Sequence, residues 1–447
     1  MLNVRNNKLY RFLFFVISKI LSVKVNIVKL YYIIILLLPL IETELRIRIG
    51  AGWQLYMPLI FLLFFSILVK KKDFYNHFII AIILILFMLI SNLYGYYIYK
   101  DYPLTLDLIS QIQNLEFKII VESVRYVSVI FFFVATLYLI NTRDRLLNSF
   151  KYFLYAVFYQ ALYGVYEILA KTILTFLPLI NSKAYSHNTI RVHGTFYEPS
   201  QYGLFILIGI LTLLLYKSII DQHNYRCSNM FVKHYKKILL LFLIALILSL
   251  SRAAFLVGLA LLFIYFIMSV TRVRYLLKIT GLIISIFGIF VIYINLILTS
   301  GQYEHWVFLL TSDIGNGLIA RIYNTIDDIN NQFYFVINNI LGIGEGVISL
   351  QFGMIPFIFR LAIEKGVFIF VGYAIFISSI YIKGFFYVKD KIIRTNMLLL
   401  LTGLIAIQLN YSSTNDPWIW FLFAMLFNAP LVIKRRTKVR PNFRTAT

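Results

Sequence analysis

Three arginines have the chemistry and the setting to bind an anion: Arg191 in RVHGTFYEPS, Arg252 in SLSRAAF and Arg321 in GLIARIYNT. A guanidinium forks two hydrogen bonds onto a phosphate or carboxylate and keeps its charge when buried. Several around one cavity would hold a pyrophosphate. Each also has a structural reading. Arg191 and Arg321 lie in polar segments, where snorkelling or pairing with a local acid accounts for the charge equally well. Arg252 sits in apolar sequence with no acid nearby. There an arginine costs about 2.5–3.5 kcal/mol on insertion scales unless water or an anion meets it, so a functional role is favoured.

The stretch after Arg191 adds oxygen and nitrogen groups. Glu198-Pro199-Ser200 opens an apolar run. Proline suits a first helical position and an acid suits the helix dipole, so Glu198 reads as a cap. It reads equally as a general base, or as an acceptor for sugar hydroxyls beside Arg191. His193, Tyr197 and Arg360 are candidate substrate contacts, although a lone loop histidine is more often simply solvated. Gly194 is expected to mark a turn. Arg360 and Glu364 stand four residues apart, which as a helical pair explains both. Asp327-Asp328 lacks the spacing of a metal site, and neither metal nor cofactor is expected. Gly342, Gly344 and Gly346 mimic a dinucleotide fingerprint, but no βαβ unit surrounds them and a tight turn is the better reading. The one cysteine, Cys227, excludes an internal disulfide framework.

The elements that must position these groups are apolar. Of 447 residues, 61% are hydrophobic and 14% charged, with a net charge of +23. Soluble domains carry about 25% charged residues, so this composition argues against a soluble fold. A strongly basic balance can signal nucleic acid, but here basic loops of a membrane protein explain both numbers, and no nucleic-acid partner is expected. Apolar runs at 25–41, 53–69, 77–99, 119–140, 152–177, 200–216, 238–250, 253–270, 279–299, 354–382, 395–411 and 418–433 read as about twelve transmembrane helices. The fold class is therefore all-α and polytopic, a single membrane domain over 1–447. No small-residue cleavage site follows the first apolar run, so no cleaved leader is expected.

Most Lys and Arg fall before residue 25, in 70–76, 141–151, 217–237, 271–278 and 383–394, and after 433. The acids in these segments are Asp73, Asp144, Asp221 and Asp390. The positive-inside rule then places both termini in the cytoplasm. Runs 238–250 and 253–270 have basic outer ends, so they form a short hairpin. Its first arm is about 20 Å of helix, which sets Ser249, Ser251 and Arg252 at a tip within the outer half of the membrane. Segment 300–353 is a long external loop, and 317–340 within it reads as one or two helices. Long ordered loops are usually functional.

The order of these motifs resembles the Wzy-type O-antigen polymerase and O-antigen ligase superfamily of bacterial inner membranes. The stretches that carry the resemblance are RVHGTFYEPSQYG (191–203), SLSRAAFLVG (249–258), ARIYNTIDD (320–328), LGIGEGV (341–347) and LAIEKGVFIF (361–370). The resemblance covers roughly residues 119–433. It implies a metal-independent glycosyltransferase for polysaccharide biosynthesis. The donor would be a glycan on undecaprenyl diphosphate and the acceptor a glycan hydroxyl, on the outer face of the membrane. It implies that Arg191, Arg252 and Arg321 hold the leaving diphosphate. Partners would be membrane lipid, the two glycans and a chain-length regulator. Ligases of the superfamily carry a histidine before the E-x-G span, whereas ISLQFGMIPFIFR (348–360) has none. Polymerisation of repeat units is therefore the first expectation, with transfer of a finished polymer second. A lipid-linked oligosaccharide flippase, of another class, would show two similar halves and short loops, and the sequence shows neither.

Overall fold

A computed structural model describes residues 26–40, 56–100, 115–172, 191–196, 198–222, 229–269, 340–342, 357–410 and 416–435. Among these residues the chain is all helical. In chain order the helices are α1 Ile27–Leu37, α2 Tyr56–Lys70, α3 Tyr75–Lys100, α4 Leu115–Leu139, α5 Arg143–Thr172, α6 Pro199–Gln222, α7 Met230–Lys233, α8 Tyr235–Leu248, α9 Arg252–Ser269, α10 Phe357–Lys365, α11 Val367–Tyr387, α12 Lys391–Asn410 and α13 Pro417–Arg435. Six of them, α3, α5, α6, α11, α12 and α13, are long and apolar enough to cross a membrane.

Local chemistry sets the ends. Asn26 accepts the amide of Lys29 ahead of α1, and Asp390 accepts the amide of Ile393 ahead of α12, at 2.8 Å. Proline occupies the first position of both α6 and α13. Ser251 caps α9 by accepting the amide of Ala254 at 3.1 Å.

Two packing centres organise the helices. Helix α6 lies against α5, α8, α9 and α12, and 89% of its apolar stretch is buried. Helix α4 lies against α2, α3 and α13. Phe153 of α5 joins the two centres, with its ring 5.5 Å from Phe205 of α6 and 5.8 Å from Phe421 of α13. Helix α11 is peripheral, with 11% of its apolar stretch buried and aromatic side chains facing outward.

Those basic segments that fall among the described residues gather at one end of this bundle. Tyr138 donates to Asp73 at 2.8 Å, and Arg143 donates to the carbonyl of Ile219 at 3.4 Å. Gln222 donates to Asp390 at 2.6 Å, and Lys434 lies 4.2 Å from the ring centroid of Tyr387. The helices therefore alternate in direction, as the distribution of charge in the sequence requires.

One expected span is not a single helix. The run 354–382 breaks at Gly366, with α10 before it and α11 after it. Gly366 has φ 85, and Gly342 has φ 82, the left-handed region that a side chain disfavours. The two glycines face each other: a Cβ on Gly342 would lie 2.5 Å from the amide nitrogen of Gly366. The amide of Val367 donates to the carbonyl of Ile340 at 3.0 Å, and Ser91 of α3 donates to the carbonyl of Glu364. Protein groups thus satisfy backbone that the break frees, which lets it exist inside an apolar bundle. Spans 238–250 and 253–270 do form the expected hairpin, as α8 and α9. The span at 279–299 and nearly all of loop 300–353 lie outside the described residues.

Candidate functional site

At the end opposite the basic loops, segment 191–196 folds back over α5. The face of α5 that receives it carries Gln160, Gly164, Glu167 and Lys171, spaced four, three and four residues apart. That spacing puts all four on one side of the helix. Glu167 is fully buried, with 0% of its side chain exposed. A bare carboxylate there would be costly, and it is instead surrounded by donors. The His193 amide donates to both carboxylate oxygens at 3.1 Å, and the Gly194 amide donates to Oε2 at 2.8 Å. Lys171 Nζ lies 2.7 Å from Oε1 and donates to the Arg191 carbonyl at 2.9 Å. The next amide along, that of Thr195, donates to Gln160 Oε1 at 3.3 Å.

Gly194 makes this turn possible. Its φ is +59, and a Cβ there would meet the Tyr202 ring at 2.5 Å. Tyr202 in turn donates to the Gln160 carbonyl at 3.3 Å, with its hydroxyl end set against Gly164 of α5. Thr195 Oγ1 donates to the carbonyl of Pro39, so the turn is also fastened to the chain beyond α1.

The other side of the segment meets the hairpin tip. The Val192 amide donates to the Leu248 carbonyl at 3.3 Å, and Arg191 Nη2 donates to the Leu250 carbonyl at 3.4 Å. Leu250 has a positive φ of 47, which turns the chain sharply between α8 and α9. Ser249 Oγ accepts the Ser251 amide at 3.2 Å and completes the tip. Arg191 is thereby held two residues from Arg252, the first residue of α9.

The expected site residues divide as follows. Arg191 bonds to the hairpin turn two residues before Arg252; the side chain of Arg252, and all of Arg321 and Tyr197, lie outside the described residues. Glu198 precedes Pro199 and gives its carbonyl to the Tyr202 amide at 3.2 Å, the capping position that its sequence suggests. Its carboxylate accepts the Ser200 hydroxyl at 2.9 Å. His193 is not a solvated loop residue: it is 1% exposed, with Nδ1 3.5 Å from Glu167 Oε1. The reason is that the amides on either side of its side chain are drawn into α5.

Arg360 lies on α10, four residues before Glu364, and its side chain is outside the described residues. A second polar group stands at the end of α10. Glu364 and Lys365 are buried, and Lys365 Nζ sits 4.0 Å above the Tyr126 ring of α4. The neighbouring stretches LGIGEGV and LAIEKGVFIF meet at Gly342 and Gly366, as RVHGTFYEPS meets SLSRAAF at the hairpin tip.

Sequence reasoning passed over Glu167, Lys171 and Gln160 because they sit inside an apolar run read only as a span. The signal was present: an ionisable pair and an amide on one face of a membrane helix are a polar stripe that needs a partner. Among the described residues no three His, Cys, Asp or Glu side chains gather as a metal-binding group. Comparison with protein-family models, curated proteins and solved structures gives no match to this chain.

Proposed function

We propose that this chain is a multi-pass polysaccharide polymerase of the bacterial inner membrane. It joins undecaprenyl-diphosphate-linked repeat units on the external face. The basic end of the bundle, with both termini, lies in the cytoplasm, and the hairpin tip faces the other way. The observation that carries the reading is the junction of Arg191 with the hairpin tip, two residues from Arg252. That junction joins two stretches on which the resemblance to the polymerase superfamily rests. The loop 300–353, with Arg321, supplies the third arginine of the reading.

In this reaction a hydroxyl oxygen of the acceptor sugar bonds to C1 of the donor glycan. The bond from C1 to the diphosphate oxygen breaks, undecaprenyl diphosphate leaves, and the hydroxyl proton passes to a base or to water. Charge builds on the departing diphosphate, and fixed guanidinium groups in a poorly hydrated site lower the energy of that state. Arginine suits the task because it stays charged at any depth.

The test is the glycan profile of cells lacking this gene. Single repeat units attached where long chains should be support the polymerase. Lipid-linked polymer that is never transferred replaces it with the ligase reading, and repeat units trapped on the cytoplasmic face replace it with a flippase. Arg252→Ala is expected to abolish chain extension while the protein still inserts. Chains of normal length in that variant remove Arg252 from the mechanism.

A further inference from the structure

The ion pair on α5 has no part in the chemistry above, yet it holds three backbone groups of segment 191–194. A Glu–Lys pair at i, i+4 adds little to a helix, and burying it costs more than it adds. Two apolar residues at these positions would suit α5 itself as well. What they would not do is meet the backbone of 191–195. Three successive amides, those of His193, Gly194 and Thr195, point at α5 side chains, and the Arg191 carbonyl points at Lys171. Val192, His193 and Thr195 are buried, so these backbone groups have no water to turn to.

We propose that Glu167 is a positioning residue for Arg191. Its carboxylate collects the amides of His193 and Gly194, and the lysine it retains pins the Arg191 carbonyl. Between them they fix the backbone on both sides of Val192. The guanidinium then reaches the Leu250 carbonyl from a fixed root. The ligand class is that of the reading above, a lipid diphosphate, and the ligand part of the test rests on that reading.

The experiment uses the full chain in lipid nanodiscs, with Glu167→Gln and the double variant Glu167→Gln/Lys171→Met. Amide hydrogen exchange over 191–196 and affinity for undecaprenyl diphosphate are both measured. Glutamine keeps the size of the side chain but offers one acceptor oxygen where there were two, and no charge. Losing charge-assisted bonds worth about 1.5–3 kcal/mol should speed exchange at His193 and Gly194, and weaken binding, by about tenfold or more. The double variant removes the orphaned lysine charge and should stay equally weak. If it instead recovers wild-type binding, Glu167 only neutralises Lys171 and the proposal is overturned. Unchanged exchange in Glu167→Gln overturns it as well, whatever the ligand. A wild-type protein that does not bind the lipid diphosphate refutes the polymerase reading, while exchange still decides the positioning role. If Glu167→Gln does not insert, Gln160→Ala removes only the acceptor for Thr195. It should weaken binding by about fivefold, and wild-type affinity there counts against positioning.

Discussion

Two polar inserts interrupt the apolar bundle, and they are built on opposite principles. At α5 a charged side chain holds the backbone of a turn: Glu167 and Lys171 together take two amides and one carbonyl of segment 191–194. At the break between α10 and α11 backbone holds backbone, with Gly342 against Gly366 and Val367 bonded to Ile340. Charges lie beside this second insert, in Glu364 and Lys365, but the helix break is closed by glycine contact and by Ser91. The difference teaches what each insert tolerates. Both need glycine where chain segments approach closely, and the first depends in addition on charge and on acceptor number.

The comparison breaks most readily at the glycines. Gly366→Ala would place a Cβ 2.5 Å from the Ile340 carbonyl at φ 85. Strain and overpacking together should cost about 3 kcal/mol or more, read as a large fall in the thermal midpoint of the purified protein. Near wild-type stability would mean that the break is not held by close approach. Gly164→Ala probes the first insert in the same way, since its Cβ would meet the Tyr202 hydroxyl. Tyr202 is itself fully buried, so its neighbours must shift to admit the methyl, and about 1–3 kcal/mol is expected, with faster exchange at Thr195 as the accompanying signature. A loss of stability without any change at Thr195 would separate Tyr202 from the turn. The smallest effect should come from Ser91→Ala, about 1 kcal/mol, because the Glu364 carbonyl loses one donor but the glycine contact remains. A loss as large as that of Gly366→Ala would show that the second insert too depends on a side-chain bond.

Much of this architecture is legible in the sequence, for a simple reason. Apolar runs bounded by basic residues report helices and their direction, and the hairpin at 238–270 follows from lysines and arginines at both outer ends. That RVHGTFYEPS and SLSRAAF share one end of the bundle is legible too, because the basic segments put both at the other end from themselves, and the hydrogen bond from Arg191 to the Leu250 carbonyl joins them. The break at Gly366 is not, because one glycine inside an apolar helical pattern is usually tolerated. Only the close approach of Gly342, from outside the helix, makes it a break. Glu167 is hidden differently. Its partners are backbone amides, which every residue has, so no residue type in 191–196 advertises them. His193 misleads for the same reason: nothing in its neighbours' identities says that their amides will be drawn into α5.

The short hairpin has a consequence for the surrounding lipid. Helix α8 has 14 residues, about 21 Å of rise, against a hydrocarbon layer of about 30 Å. Beside helices of full length, such an element cannot match the thickness of an undisturbed bilayer. A bilayer around it would have to thin locally, at a cost of fractions of a kcal/mol for each ångström. Under the proposed function, that thinning would bring the phosphates of a lipid-linked donor closer to the level of the hairpin turn without their leaving their own leaflet.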